Sequence, residues 1–399
     1  MERCLFRAEA KNGGAGSWPR PGPSGPGIQQ RPRSPGFGPG AGRLSSAAVF
    51  AELTSWENLF RAFREAARGK RRQVPAATFE HRLEDEIAAL RRELQSGTYR
   101  PGPYSSFYIR EPKRRLISAA PFRDRVVHHA LCQVIEPRFE RRFSPASFAN
   151  RRGRGTHRAL DACQRYARKF PFVLQLDVRQ FFPSIDHEIL RGLLARRIPD
   201  GRVLGLIDAI LASGAGVLSE SYDMCYFPGD DLFAVLRPRG LPIGNLTSQF
   251  WGNVVLDPID AFLTRELGFS GYVRYVDDLL VFGNEKSALW QALRAIEERL
   301  AGLRMRFHRG SHPRPTEEGI PFLGFVVFPE VRRLKRRNVV HSRRRLACLG
   351  RQAEAGDIVP DRAAESVRSW LEHARHGNTV GLRKTIVAAC PSALRALLN

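Results

Sequence analysis

Gly271-Tyr-Val-Arg-Tyr-Val-Asp-Asp-Leu-Leu-Val-Phe-Gly283 is the stretch whose reading decides the fold. Two short apolar runs, Tyr272–Val276 and Leu279–Phe282, flank two adjacent carboxylates. Both runs are rich in β-branched and aromatic residues and are bounded by glycines, so each reads as a strand. The pair reads as a hairpin with Asp277 and Asp278 at its turn. Tight two-residue turns usually hold a glycine, and this one has none, which predicts backbone strain. Adjacent carboxylates repel unless they share a cation. Hard oxygen ligands of this kind suit Mg²⁺, which binds through a few carboxylates plus substrate phosphates. Taken alone, the dipeptide reads better as a solvated Asp-Asp turn.

Outward from the hairpin, Phe172-Val-Leu-Gln-Leu-Asp-Val178 is another apolar run with one acid near its end. It reads as a buried strand, where a lone carboxylate is costly unless paired or metal-bound. Asp177 is therefore the natural third acid for Asp277 and Asp278. Phe181 and Phe182 follow directly. A second acidic pair, Asp230-Asp231, lies in turn-rich sequence with no strand before it and reads as solvated or structural. Gly240-Leu-Pro-Ile-Gly-Asn-Leu-Thr-Ser-Gln249 is a Gly/Pro turn leading into a helix. Its small side chains allow either close approach of a nucleotide or template, or simple N-capping.

The chain has 399 residues with 43% hydrophobic content, enough for two or three domains with real cores. Net charge is +24, and only seven of the 64 basic residues are lysine. Such an excess implies a polyanionic partner, most simply nucleic acid, and arginine forks well onto phosphate. Six scattered cysteines without CxxC spacing read as reduced thiols of a cytoplasmic protein. No apolar run reaches membrane-spanning length, and no signal-peptide pattern opens the chain.

Residues 1–48 are rich in proline and glycine and are expected to be a disordered extension. Trp56, Leu59, Phe60 and Phe63 then recur at helical spacing, and Phe79, Leu83, Ile87, Leu90 and Leu94 predict one further helix stopped by Gly97. Tyr108-Ile-Arg-Glu-Pro-Lys-Arg-Arg-Leu-Ile117 reads as a hairpin with a basic tip, Lys113–Arg115. That tip can clasp a triphosphate or be a charged edge. His128 and His129, on the helix that follows, lack metal-ligand spacing and read as structural. The loop Ser147-Phe-Ala-Asn-Arg-Arg-Gly-Arg-Gly-Thr-His157 can hold a phosphate backbone through Arg151, Arg152 and Arg154, or be plain surface. Glu188–Leu211 and Ala288–Leu303 read as helical. Ile320-Pro-Phe-Leu-Gly-Phe-Val-Val327 reads as a short strand pair. Eight Lys/Arg and no acid fall between Arg332 and Arg345, with Arg343, Arg344 and Arg345 as nucleic-acid candidates, and a small helical bundle around Val367, Trp370 and Leu371 closes the chain.

In this order the motifs resemble reverse transcriptases over residues 53–399. The central hairpin looks like their Tyr-x-Asp-Asp motif, and Leu176-Asp177-Val178 with Phe181-Phe182 like their first carboxylate motif. Arg114-Arg115-Leu116 looks like their fingers motif, and Phe322-Leu323-Gly324 like their primer grip. The resemblance implies an α+β right-hand polymerase fold. Its parts would be N-terminal helices and fingers at 49–170, a palm with an antiparallel sheet at 171–330, and a basic helical thumb at 331–399. It implies two Mg²⁺ ions, with Mn²⁺ as the alternative, held by Asp177, Asp277, Asp278 and the carbonyl of Val178. Lys113, Arg115, Phe182, Ile243 and Gly244 would bind the incoming dNTP, with Phe182 excluding a 2′-hydroxyl. The partners implied are an RNA template and a DNA or RNA primer.

The Tyr226–Phe233 and Gly240–Gln249 segments resemble, more narrowly, the reverse transcriptases of diversity-generating retroelements. Most reverse transcriptases carry glutamine where this chain has Ile243, and that group carries an aliphatic residue. It copies a template-repeat RNA with frequent errors at adenines and works with a small basic accessory protein. The alternatives are another bacterial reverse transcriptase, of group II intron, retron or defence type, or a non-catalytic RNA-binding scaffold on the same fold. One departure stands out. The run Leu303-Arg-Met-Arg-Phe-His-Arg-Gly-Ser311 lacks the lysine that family members often carry there, leaving Arg309 as the candidate proton donor to pyrophosphate. The length left over is expected to hold no ribonuclease H, endonuclease or maturase module.

Overall fold

A computed structural model describes residues 46–109, 114–390 and 395. The expected disordered extension therefore lies largely outside the described residues, as does Lys113. The described chain is already helical at Ser46, inside the span expected to be extension. Helices α1 (Ser46–Leu53), α2 (Trp56–Ala67), α3 (Val74–His81) and α4 (Leu83–Ser96) come first. The single helix expected from Phe79 to Leu94 is thus two, because Arg82 leaves helical geometry at φ −116, ψ 36. Gly97 ends the second of them in the left-handed conformation, as expected.

The hairpin β1 (Ser105–Ile109) and β2 (Arg115–Ala119) leads to α5 (Phe122–Glu140) and then α6 (Thr156–Lys169). Next come β3 (Phe172–Asp177), the short α7 (Phe181–Ser184), α8 (His187–Ala195) and α9 (Gly201–Gly214). The helical stretch expected over Glu188–Leu211 breaks at Ile198-Pro199-Asp200, where the Asp200 carboxylate caps α9. α10 (Leu246–Ala261) precedes the central hairpin, β4 (Gly271–Tyr275) and β5 (Asp278–Gly283). α11 (Lys286–Ala301), β6 (Pro313–Pro315), β7 (Ile320–Phe322), β8 (Phe325–Val327) and β9 (Arg332–Leu334) follow. α12 (Arg336–Glu354), α13 (Pro360–Arg375) and α14 (Val380–Ala388) complete the described chain.

The central sheet is antiparallel, in the order β4-β5-β3-β6. Its side chains alternate between two cores, which explains why its strands read as unbroken apolar runs. Leu174, Leu176, Tyr272, Leu279 and Val281 enter the larger core, shared with α5, α10 and α11. Val173, Val273, Leu280 and Phe282 enter a second core, shared with α6 and the β7-β8-β9 sheet. β9 pairs with β8, so this second sheet crosses the boundary expected at residue 331. Leu346, Ala363, Ala364, Val367 and Ile386 build a third, C-terminal core. No helix among the described residues is long and apolar enough to cross a membrane.

Candidate active site

β3 and β5 pair so that Asp177, the last residue of one, lies directly opposite Asp278, the first of the other. The hairpin turn consists of Val276 and Asp277, because Tyr275 and Asp278 are themselves paired. Asp278 is therefore a strand residue and not part of the turn. Val276 adopts φ 56, a left-handed conformation unusual for a β-branched side chain. The strain expected at this glycine-free turn is thus carried by one identified residue. The Val178 N–H donates to the Asp277 carbonyl at 3.2 Å, tying the turn to the end of β3.

Burial, and then the charge of Asp177, push the Asp277 carboxyl up to about 6, while Arg115 and His308 act in the opposite direction. Two consequences follow. The charge of Asp177, on the neighbouring strand, reaches Asp277, and such like charges repel unless a cation is shared. The Arg115 guanidinium of β2 also lies close enough to the turn to act on it electrostatically. Among the described residues no three His, Cys, Asp or Glu side chains are gathered closely enough to hold one ion. The donor chemistry nevertheless fits a hard cation: carboxylates on paired strands, with the backbone of Val178 beside them.

Two basic groups missed in the sequence join these acids. His308 donates its backbone N–H to the Asp177 carbonyl at 2.9 Å, and its ring Nε2 lies 3.9 Å from Asp177 Oδ2. Lys335, at the start of α12, is half-buried, which lowers its pKa, while the charge of Asp278 opposes that shift. Its backbone N–H donates to the Gly324 carbonyl at 3.0 Å. Arg309 is exposed.

The nucleotide-binding candidates fall on adjoining elements. Phe182 lies on α7, half-buried, with its ring 5.1 Å from that of Phe181. Gly252 of α10 makes room for both rings, since a Cβ there would lie 3.1 Å from Phe181 and 3.6 Å from Phe182. The Ile243 carbonyl accepts from the Ser118 N–H of β2 at 2.9 Å. Gly244 has φ +118, and a Cβ there would press on Ile117 at 3.0 Å. The turn before α10 is therefore fitted against the basic hairpin. Asn245 completes the joint, donating to Ser118 O and accepting from the Ala120 N–H.

Other expected contacts require correction. Arg151 is consumed by the fold: its side chain is 4% exposed, bridges Glu140 and donates to the carbonyls of Ser144 and Ser147. It is unavailable to nucleic acid. Arg152 is exposed, and Arg154 is half-buried over the Phe148 ring. Phe322 is fully buried in the second core, so only the Leu323-Gly324 turn beside it can face a primer. In the basic run, Arg332 pairs with Asp161 of α6, whereas Arg343, Arg344 and Arg345 are exposed on α12. The second acidic pair is structural. Asp230 is bridged by Arg237 and Arg304, and Asp231 caps a short helical turn. His128 is buried, also structural, with its pKa lowered to about 3 by burial.

An antiparallel sheet carrying paired acids at its strand ends, in a chain of mixed helix and sheet, is the α+β right-hand polymerase fold. The chain belongs to the reverse transcriptase (RNA-dependent DNA polymerase) family, whose sequence model matches residues 109–327. It is similar to protein YkfC of Escherichia coli (strain K12), 29% identical over 203 residues, 48% of this chain and 49% of that protein. It is similar to the group II intron-encoded protein LtrA of Lactococcus lactis subsp. cremoris, 27% identical over 185 residues, 46% of this chain and 29% of that protein. A third relative is the retron Mx65 reverse transcriptase of Myxococcus xanthus, 35% identical over 131 residues, 32% of this chain and 29% of that one. The chain spans half or less of the length of these curated relatives.

Proposed function

We propose that this chain is an RNA-directed DNA polymerase, adding deoxynucleotides to a primer 3′-hydroxyl with release of pyrophosphate. The observation that carries the reading is the strand register that sets Asp177 opposite Asp278, with Asp277 in the turn between β4 and β5. In this reading the three carboxylates and the Val178 carbonyl hold two Mg²⁺ ions, with Mn²⁺ as the alternative. Bound there, the metal would activate the 3′-oxygen and steady the leaving phosphates. Arg115, and with it Lys113, receives the triphosphate; the electrostatic effect of Arg115 on Asp277 supports that placement. Phe182 packs beneath the sugar and excludes a 2′-hydroxyl. Leu323 and Gly324 support the primer terminus, and Arg152, Arg154 and Arg343–Arg345 hold template and primer phosphates. Residues 49–170, 171–330 and 331–399 serve as fingers, palm and thumb. The scattered free cysteines suit a cytoplasmic enzyme.

Within the family we propose the diversity-generating type, with a template-repeat RNA as template and a small basic protein as partner. Ile243 supports this reading. It sits at the joint between β2 and the turn before α10, and it offers an aliphatic side chain where hydrogen bonding would otherwise restrain the incoming nucleotide. A group II intron or retron enzyme is the second reading, favoured by the names of two relatives. Primer extension on RNA tests the activity. Sequencing of cDNA copied from an adenine-rich RNA tests the subtype.

A further inference from the structure

Arg274 is the last residue but one of β4, with its side chain 0% exposed. A cation in such a place is costly unless its donors are used. All three of its guanidinium nitrogens are used. Nε and Nη2 fork onto the Asp260 carboxylate of α10 at 2.7 and 2.6 Å. Nη1 reaches Asn253 Oδ1 at 3.0 Å and the Val276 carbonyl at 3.1 Å. The Tyr272 hydroxyl donates to Asp260 at 2.7 Å, and Asn253 donates to the Ala149 carbonyl at 3.0 Å. The Arg274 backbone pairs with the same loop, accepting from the Phe148 N–H at 2.9 Å and donating to the Ala146 carbonyl at 2.8 Å.

We infer that Arg274 is a positioning residue: it clamps the strained Val276 carbonyl to α10 and so sets where Asp277 and Asp278 stand. The inference deepens the polymerase reading and rests on it. A buried ion pair is a poor stabiliser compared with apolar residues of similar volume, so stability alone gives little reason for one here. Its geometry gives a better one. The planar fork spends two donors on Asp260 and keeps a third aimed at the turn. A lysine offers a single ammonium and cannot span both partners in that geometry. Val276 meanwhile holds φ 56, a conformation that persists only where its surroundings impose it.

The test uses the full chain and three variants: Arg274→Lys, Arg274→Lys with Val276→Gly, and Arg274→Met with Asp260→Leu. The last replaces the ion pair by apolar groups and covers the case in which lysine fails to fold. Thermal melting reads folding, primer extension reads kcat and dNTP KM, and hydrogen exchange without metal reads the order of residues 275–278. Expected is a kcat loss of roughly ten- to hundredfold in Arg274→Lys or the apolar pair, the range spanned by a hydrogen bond from a charged donor. KM stays unchanged, and exchange at the turn is faster. Val276→Gly, which removes the strain, recovers part of the kcat; a merely structural arginine would show no such rescue. A folded variant with kcat within about twofold of wild type and unchanged exchange overturns the inference. Failure of the unaltered protein to extend any primer overturns the polymerase reading instead, and exchange at the turn then decides on Arg274 by itself.

Discussion

Asp177 and Asp278 are direct partners across the antiparallel pairing of β3 with β5, although one follows α6 and the other follows α10. Pairing sets the two acids at the ends of the two central strands, just beyond the apolar positions that fix the register. Leu176 and Leu279, the adjacent pair, are both fully buried in the larger core. A slip of one residue would move every side chain to the opposite core. The same burial that stabilises the sheet therefore fixes the relative position of the acids.

Phe182 is expected to select the sugar. It is half-buried beside Phe181, and the bare α10 backbone at Gly252 leaves room for both rings. Phe182→Ala should admit ribonucleotides while leaving dNTP extension measurable. The check is the ratio of kcat/KM for dNTP over rNTP; an unchanged ratio removes Phe182 from that role.

Ile243 is expected to set fidelity. A hydrogen bond contributes about 0.5–1.5 kcal/mol net, so one missing restraint relaxes selection by several-fold to about tenfold. Ile243→Gln should lower misincorporation opposite template adenine without abolishing extension. Equal error spectra from two equally active proteins would leave the subtype resting on the surrounding motif alone.

How much of this was legible in the sequence depends on where each residue's partner lies. The β3 and hairpin strands, and the cost of a carboxylate at Asp177, could be read because burial on both faces leaves an apolar run in which a charge stands out. The same argument marks Arg274 as a charge in an apolar run that needs a partner, but α10 and β4 read separately give no sign that Asp260 is that partner. Arg151 and Arg152 are adjacent and chemically identical; Glu140 on α5 and the Ser144 and Ser147 carbonyls make the first structural. His308 and Lys335 reach the acids through tertiary folding, which spacing cannot show. Phe322 kept its motif position but lost its expected contact, because the β7–β8 pair buries it in the second core.

Nucleic-acid affinity should depend strongly on salt, with α12 contributing. Arg343, Arg344 and Arg345 are exposed, and each phosphate contact contributes roughly 0.7–0.9 to the slope of log affinity against log salt. Replacing all three by alanine should flatten that slope. An unchanged slope would mean that this face of α12 meets solvent or a protein partner.

His128 should make the fold acid-sensitive. Burial holds its pKa at about 3, against an ordinary value of about 6.5. The unfolded chain therefore binds the proton first as pH falls. The stabilisation is fully present above about pH 6.5 and declines steadily towards about pH 3. Denaturation followed between about pH 7 and pH 4 should show a shallower loss of stability in a folded His128→Phe variant than in wild type. Parallel curves would show that other groups dominate.

The central claim is that Asp177, Asp277 and Asp278 form one catalytic centre for RNA-templated DNA synthesis. The most direct measurement is extension of a labelled primer on an RNA template with dNTPs and Mg²⁺, for the wild-type chain and Asp278→Asn, with RNA affinity measured in parallel. The account predicts extension by the wild type, none by the variant, and RNA binding by both. Near wild-type extension by Asp278→Asn would contradict it.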